Sequence, residues 1–276
     1  MKTRSEPKDA LQAVPLAVQE EGVPAPRKSV VRRVLFAVLL LFVFAGTAGI
    51  TILMTSVLPT IYKEQANETY APALQRANVG DTVMFGSYEQ DNNRLDGPEP
   101  IEWQVIARKD DSCLLISRYA LDCVRFNSND GLATWDYSSV LNWLNHTFFD
   151  EAFSQSEKTL VRRTDVSADR NPFFPSDPGE ETSERLFLLS IPEAYEYFNS
   201  ENDRSCEPTA YTIAKGANVS DGKCVWWLRT SGFDASVAAR VLPDGRINYC
   251  GFHVDSDDNA IRPAMWVSFD AYSTTH

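Results

Sequence analysis

From Val34 to Leu58 the chain runs for 25 residues without a charged side chain. A helix of that length reaches about 37 Å, more than the ~30 Å hydrocarbon core of a bilayer. The run is apolar all round, whereas a helix packed in a soluble core keeps a polar face. Its flanks differ in charge. Arg27, Lys28, Arg32 and Arg33 precede it, and the mixed segment KEQANE follows. Basic flanks stay on the cytoplasmic side, so the expectation is a single-pass cell-membrane protein with a cytoplasmic N-terminus and an extracytoplasmic C-terminal part. The competing reading is a cleaved signal peptide, for which Ala45, Gly46, Thr47, Ala48 and Gly49 offer small residues. The long preceding tail and a run exceeding the usual apolar stretch of about 7–15 residues weigh against cleavage.

Charge divides the chain at the same place. The whole carries 26 basic and 38 acidic side chains, a net charge of −12, yet residues 1–33 are basic by +3 and the remainder is acidic by −15. A domain so acidic repels phosphate backbones, which excludes nucleic acid as an expected partner. Residues 1–33 lack any sustained period and read as a disordered tail. Residues 34–58 are the expected transmembrane helix, 59–78 a polar stalk, 79–270 a globular domain and 271–276 a short tail.

Within the domain, VGDTVMFGSYEQD reads as a strand broken by Gly86. IEWQVIARKDDSCLLISRYALD reads as two β runs joined at Lys109-Asp110-Asp111. Val140, Leu141, Leu144 and Phe148 fall at helical spacing. Ser154 with Glu157, and Ser190 with Glu193, have the spacing of capping boxes. The segment from Asp165 to Glu184, with Pro172, Pro175 and Pro178, reads as a long loop. CVWWLRTSG, AARVLPDGRINYC and AIRPAMWVSF are short β runs, and Asp244-Gly245 is a hairpin turn. Strands, then helices, then strands predict an α+β fold with a mainly antiparallel sheet.

Five cysteines, Cys113, Cys123, Cys206, Cys224 and Cys250, leave one over if all others pair. Cys206 and Cys224 bracket a polar loop and are the expected disulfide. Cys113 with Cys250 is a second candidate pair, and the alternative is that several are small buried hydrophobes.

The ordered series VGDTVMFGSYEQD, EPIEWQVI, LLISRYALDC, VLNWLN, FLLSIPEA, CEPTAYTIAKGA, CVWWLRTSG, PDGRINYCG and IRPAMWV resembles a family of bacterial surface and secreted domains of unknown function. Its members read close to WWLRSPG and finish on VRPALWI. The resemblance covers about residues 79–269. Thr230-Ser231 stands where the family has Ser-Pro, and Met265 where it has Leu. At a looser level the C-terminal third is similar to C-type-lectin-like folds, including the formylglycine-generating-enzyme branch. Joined to the apolar run and the element order, the resemblance gives the expected fold class: α+β, with an N-terminal transmembrane helix followed by one mixed, mainly antiparallel C-type-lectin-like domain. That enzyme branch's copper-binding cysteine pair has no clear counterpart here.

Trp226, Trp227, Arg229 and Arg262 are the expected binding residues. On a strand the two tryptophans face opposite sides, so one fills the core and the other is free to line a surface. The competing reading is that each arginine pairs with an acidic neighbour to lock the fold. Asp255, Asp257 and Asn259 stand at alternate positions. Hard oxygen ligands so spaced suit calcium, the one metal the pattern matches, although Ala260 and Trp266 break the EF-hand sequence. No other cofactor is expected, and the alternative for this loop is a polar turn. No GxSxG, HExxH or phosphate-binding loop occurs. The leading expectation is a non-catalytic module that binds an extracellular glycan, cell-wall polymer or protein. The alternatives are an enzyme of the formylglycine-generating type and a structural component of an envelope complex.

Overall fold

The two β runs on either side of Lys109-Asp110-Asp111 form a hairpin, β2 (Glu99–Lys109) and β3 (Ser112–Ser117), in a computed structural model that describes residues 57–128 and 131–269. β1 (Thr82–Tyr88) pairs antiparallel with β2 on one side, and β13 (Ala264–Ser268) pairs antiparallel with β3 on the other. A second sheet runs β11 (Ile247–His253), β10 (Val237–Val241), β9 (Trp226–Ser231), β12 (Ala260–Ile261) and β4 (Asp122–Cys123). Only its β9–β12 pair is parallel. Two short antiparallel pairs, β5 (Thr164–Val166) with β6 (Thr182–Glu184) and β7 (Val219–Ser220) with β8 (Lys223–Cys224), lie between β4 and β9 in the chain. Every residue of β3, β9 and β13 is buried. Strands covered on both faces are expected to read as continuous apolar runs rather than alternating ones.

The chain crosses between the sheets twice at one seam. β3 of the first sheet leads into β4 of the second. β12 of the second leads back through Arg262 and Pro263 into β13 of the first. The crossings hold each other: the Ser117 amide donates to the Pro263 carbonyl at 3.0 Å, and Arg262 Nε donates to the Ser117 carbonyl at 2.9 Å. The far edge of β13 is closed by extended backbone, with Phe187 and Ala264 exchanging hydrogen bonds of 3.0 and 2.8 Å.

Local signals read from the sequence take the expected forms. Both capping boxes are made, at Ser154 with Glu157 and Ser190 with Glu193. They open the short helices α4 (Gln155–Lys158) and α5 (Ile191–Tyr197). Val140, Leu141, Leu144 and Phe148 are buried along α2 (Ser139–Trp143) and the π-type turn that continues it. That turn leads into α3 (Phe149–Ala152). Gly86 interrupts β1 with φ of +70°, and a Cβ there would stand 2.7 Å from the Ala152 carbonyl and the Phe153 ring. Only glycine satisfies both demands.

The expected membrane architecture needs correction. Among the described residues no helix is long and apolar enough to cross a membrane. Residues 34–56 of the apolar run lie outside the described residues, and its end leads into a helix of different character. This helix, α1 (Leu58–Arg76), occupies the segment read as a stalk. It carries Lys63, Glu64, Gln65 and Arg76, and it buries Ala71 and Leu74 against the domain. Tyr70 stacks edge-on to Phe85 at 5.0 Å and donates to Glu157 Oε1 at 2.6 Å. Arg108 reaches back to the carbonyls of Leu74, Gln75 and Ala77. Its polar composition hid this role, because among its described residues the stripe that meets the core is short: Tyr70, Ala71 and Leu74. Polar stretches were expected to stay in water. A helix that holds buried side chains should make its deletion costs site-specific. Leu74→Ala should destabilise the folded chain by about 2–5 kcal/mol. Glu64→Ala, on the exposed side, should change stability by less than about 0.5 kcal/mol. Urea unfolding followed by circular dichroism checks both, and equal small effects would restore the stalk.

Candidate functional site

The residues singled out for binding are at the centre of the fold. Trp226 and Trp227 are both fully buried. Each indole N–H is satisfied, Trp226 donating to the Arg204 carbonyl and Trp227 to the Val124 carbonyl, both at 3.1 Å. Trp227 also meets Phe126 edge-on at 5.8 Å. The expectation that one tryptophan lines a surface is corrected: β9 is an inner strand with cover on both faces, so its two side-chain rows both enter core. Arg229 is buried too. It donates to the Leu188 and Ser167 carbonyls, to Asp169 at 3.0 Å and to Glu193. It is thus a structural clamp, the competing reading given above. Arg262 is buried at the seam between the rings of Phe198 and Trp226, at 5.1 and 5.3 Å.

The 255–259 loop does not assemble the expected calcium ligands. Asn259 is fully buried and its Oδ1 accepts from Arg240 at 2.9 Å. Asp257 faces Arg125 at 3.4 Å, and Asp255 is exposed. Two of the three expected ligands, Asp257 and Asn259, thus already face arginines. The described residues bring a different acidic set together: Glu89, Asp91 and Glu99 place one carboxylate oxygen each within 4.8 Å of the others. One Glu99 oxygen there accepts the Gln90 and Asp91 amides. Cys123, Cys206, Cys224 and Cys113 are buried thiols and Cys250 is exposed. Cys123 donates to the Asp257 and Asn259 carbonyls, and burial followed by the Asp122 carboxylate pushes it up to about 12. It is a neutral donor that ties down the loop, not a poised nucleophile.

A cleft of about 480 Å³ opens elsewhere, where the end of β1, the loop after it, β4, α2 with its following turn, α3 and the helix α7 (Ala210–Ala214) converge. (The intervening helix α6 is Glu201–Arg204.) Asp122 lies at its base, buried, accepting from the Tyr88 hydroxyl at 2.7 Å and its neighbour Cys123 N–H at 2.6 Å. Lys215 Nζ stands 3.6 Å from the same carboxylate. Burial and then the Asp122 charge push the Tyr88 phenol far above its ordinary value, so it remains a donor. Tyr211 meets Tyr88 edge-on at 6.0 Å, while Arg94 donates to its hydroxyl at 3.0 Å and also lies over its ring. Half-buried Trp143 and exposed Glu151 and Thr147 line the other side. α7 is fixed by Thr209, whose hydroxyl accepts the Thr212 amide at 3.1 Å, and by Thr212 donating to the Ala120 carbonyl at 2.8 Å. Three carboxylates (Glu89, Asp122 and Glu151), two cations, hydroxyls and ring faces thus line one hollow. The only signals for it in the sequence were a Thr-capped TAYTIAK segment and an acidic residue at a strand end, neither distinctive.

A family model described as a domain of unknown function, DUF6273, matches residues 110–269. The chain belongs to this family. No curated protein and no solved structure is similar enough to match it, so the likeness to C-type lectins finds no support from a known fold. The DUF6273 match begins within the β2–β3 turn. It contains Asp122, Trp143, Glu151, Tyr211 and Lys215 of the cleft, whereas Tyr88, Glu89 and Arg94 precede it.

Two outcomes follow from these placements. Trp227→Ala should cost about 3–5 kcal/mol and lower the cooperativity of unfolding. Tryptophan fluorescence against urea checks it, and a folded variant of unchanged stability would return Trp227 to the surface. In the folded chain, iodoacetamide should modify Cys250 well before the buried thiols. Peptide mapping of a time course reads the order, and early labelling of Cys123 would overturn its role as a buried donor.

Proposed function

We propose that the domain is a non-catalytic binding module whose cleft between Asp122, Trp143 and Tyr211 takes a neutral, hydroxyl-rich ligand of the saccharide class. The observation that carries this is the composition of the lining. Acceptors (Glu89, Asp122, Glu151), donors (Arg94, Lys215) and small hydroxyls surround ring faces within one concavity. Sugars present alternating donors and acceptors around an apolar C–H face, and such a mixed lining answers both. The mixture of signs disfavours a ligand of high net charge, because any single charge meets repulsion from one wall. Pre-formed concave sites with a few convergent polar groups are where small ligands bind. The pairing of Lys215 with Asp122 and of Arg94 with Tyr211 keeps the polar groups in place before a ligand arrives, which lowers the ordering cost of binding.

Placement of the domain outside the cytoplasm has its support in the charge asymmetry about residues 34–58 alone. A location there would give a saccharide-binding module access to envelope or extracellular glycans.

An array of neutral, amino-sugar and acidic oligosaccharides tests the reading, followed by calorimetry on the best hit. Neutral oligosaccharides should bind, and Trp143→Ala and Arg94→Met should each weaken binding at least tenfold, about 1.4 kcal/mol or more. Arg246→Met, outside the cleft, should not. No binding across the array, or binding that both cleft variants leave intact, would sink the proposal.

A further inference from the structure

Cys206 and Cys224 face each other across an isolated antiparallel bridge, with the Cys224 amide donating to the Cys206 carbonyl at 2.8 Å. Directly opposed residues in such a bridge have Cα atoms about 4.5–5.5 Å apart. That lies within the roughly 4.4–6.8 Å a disulfide spans. Both side chains are buried, and the Cys224 Sγ lies 3.4 Å from the Cys206 carbonyl oxygen. Both thiols are free in the structure. From this geometry we infer that Cys206 and Cys224 are a disulfide-forming pair that closes the excursion of residues 207–223 carrying α7 and hence Tyr211 and Lys215 of the cleft. The inference does not depend on what the cleft binds.

The seam supplies a second observation. Arg262 is buried, and its Nη1 has no hydrogen-bond partner. A buried guanidinium with an unanswered N–H favours an anion nearby. Its charge acts on both thiols. Burial alone would push the Cys206 thiol up, but a hydrogen bond from Cys224 and then the Arg262 charge outweigh it and hold Cys206 below the ordinary thiol value. Cys224, as the donor, is held well above it. A thiol held below its ordinary value beside a second thiol is an arrangement from which exchange can start.

The oxidant would be a low-molecular-weight disulfide such as oxidised glutathione. The Cys206 thiolate attacks one of its sulfurs, forming a mixed disulfide and releasing one glutathione thiolate. Cys224, after losing its proton, attacks Cys206 Sγ and releases the second. Two protein thiols lose two protons and two electrons, and the electrons reduce one glutathione disulfide to two thiols. Because neither sulfur is exposed, the exchange takes place during folding or through local opening. Closing the loop restricts the unfolded chain and so raises stability.

The full chain, both folded and refolded from urea, is equilibrated with reduced and oxidised glutathione at a series of ratios. It is then acid-quenched, unfolded, alkylated and digested. The peptides bearing Cys206 and Cys224 should appear joined and lighter by two hydrogens, with Cys113, Cys123 and Cys250 still alkylated. The urea midpoint should be higher for the oxidised chain. In the Cys206→Ala/Cys224→Ala double variant that dependence on glutathione should vanish. If that variant does not fold, the peptide map of the unaltered chain decides. Five alkylated cysteines at every ratio, or linkage of Cys206 or Cys224 to any other cysteine, would overturn the inference.

Discussion

Burying the Arg229 guanidinium forces four separate stretches of chain to meet. Its five N–H groups must be answered where little water can answer them. The answers come from the Ser167 carbonyl, Asp169, the Leu188 carbonyl and Glu193. Glu193 also closes the capping box of α5, so one carboxylate both starts a helix and neutralises the clamp. The proline-rich stretch from Asp165 to Glu184 is anchored at its start by this demand, with Ser167 and Asp169 at the arginine. Asn171, buried, adds donation to the Ser231 and Tyr249 carbonyls. A long loop held in this way is part of the domain's structure rather than a free insertion. With Arg229 fixed, β9 is fixed, and β9 is the strand on which the second sheet is assembled.

Arg262 plays the matching part at the seam, but with carbonyl and ring partners instead of carboxylates. The seam joins the sheets through Ser117 and Pro263, and it sets the direction in which β4 leaves the first sheet. Asp122 lies at the start of β4, so the base of the cleft is positioned by the same crossing. Tyr88 reaches it from the end of β1, and Lys215 from beyond α7. The site is therefore built where elements end, which leaves its side chains free of the ladder that defines the sheets. Strand and helix ends commonly carry binding residues, because a rigid scaffold places them while their tips stay accessible.

Much of the local structure was legible. The β2–β3 hairpin, the break at Gly86, the two capping boxes and the Asp244-Gly245 turn rest on short-range chemistry, which a sequence displays directly. The site was not legible, for a reason of scale. Tyr88, Asp122, Trp143 and Tyr211 are dispersed along the chain and share no spacing, so nothing short of the folded seam brings them together. Trp226 and Trp227 misled for the converse reason. Alternation along a strand predicts two faces, but it cannot report whether the sheet is covered on one side or on both. The same limit applies to α1: a short apolar stripe, joined by hydrogen bonds from Tyr70 and Arg108, docks a helix that composition marks as solvent-exposed.

The position of the family match bears on what the functional unit is. A boundary at residue 110 would cut β2 from β3 and remove β1, exposing the face of β3 that β2 pairs with. An unpaired inner strand is costly, since its backbone groups lose partners and its buried side chains meet water. Tyr88 would go with β1, leaving Asp122 with one hydrogen-bond donor fewer in a buried position. The residues ahead of the match are therefore not an appendage to a self-sufficient domain. They complete the first sheet, supply α1 against it, and furnish Tyr88, Glu89 and Arg94 to the cleft. The cleft is lined from both sides of that boundary, so its walls are complete only when the leading segment is folded against the β9–β12 frame.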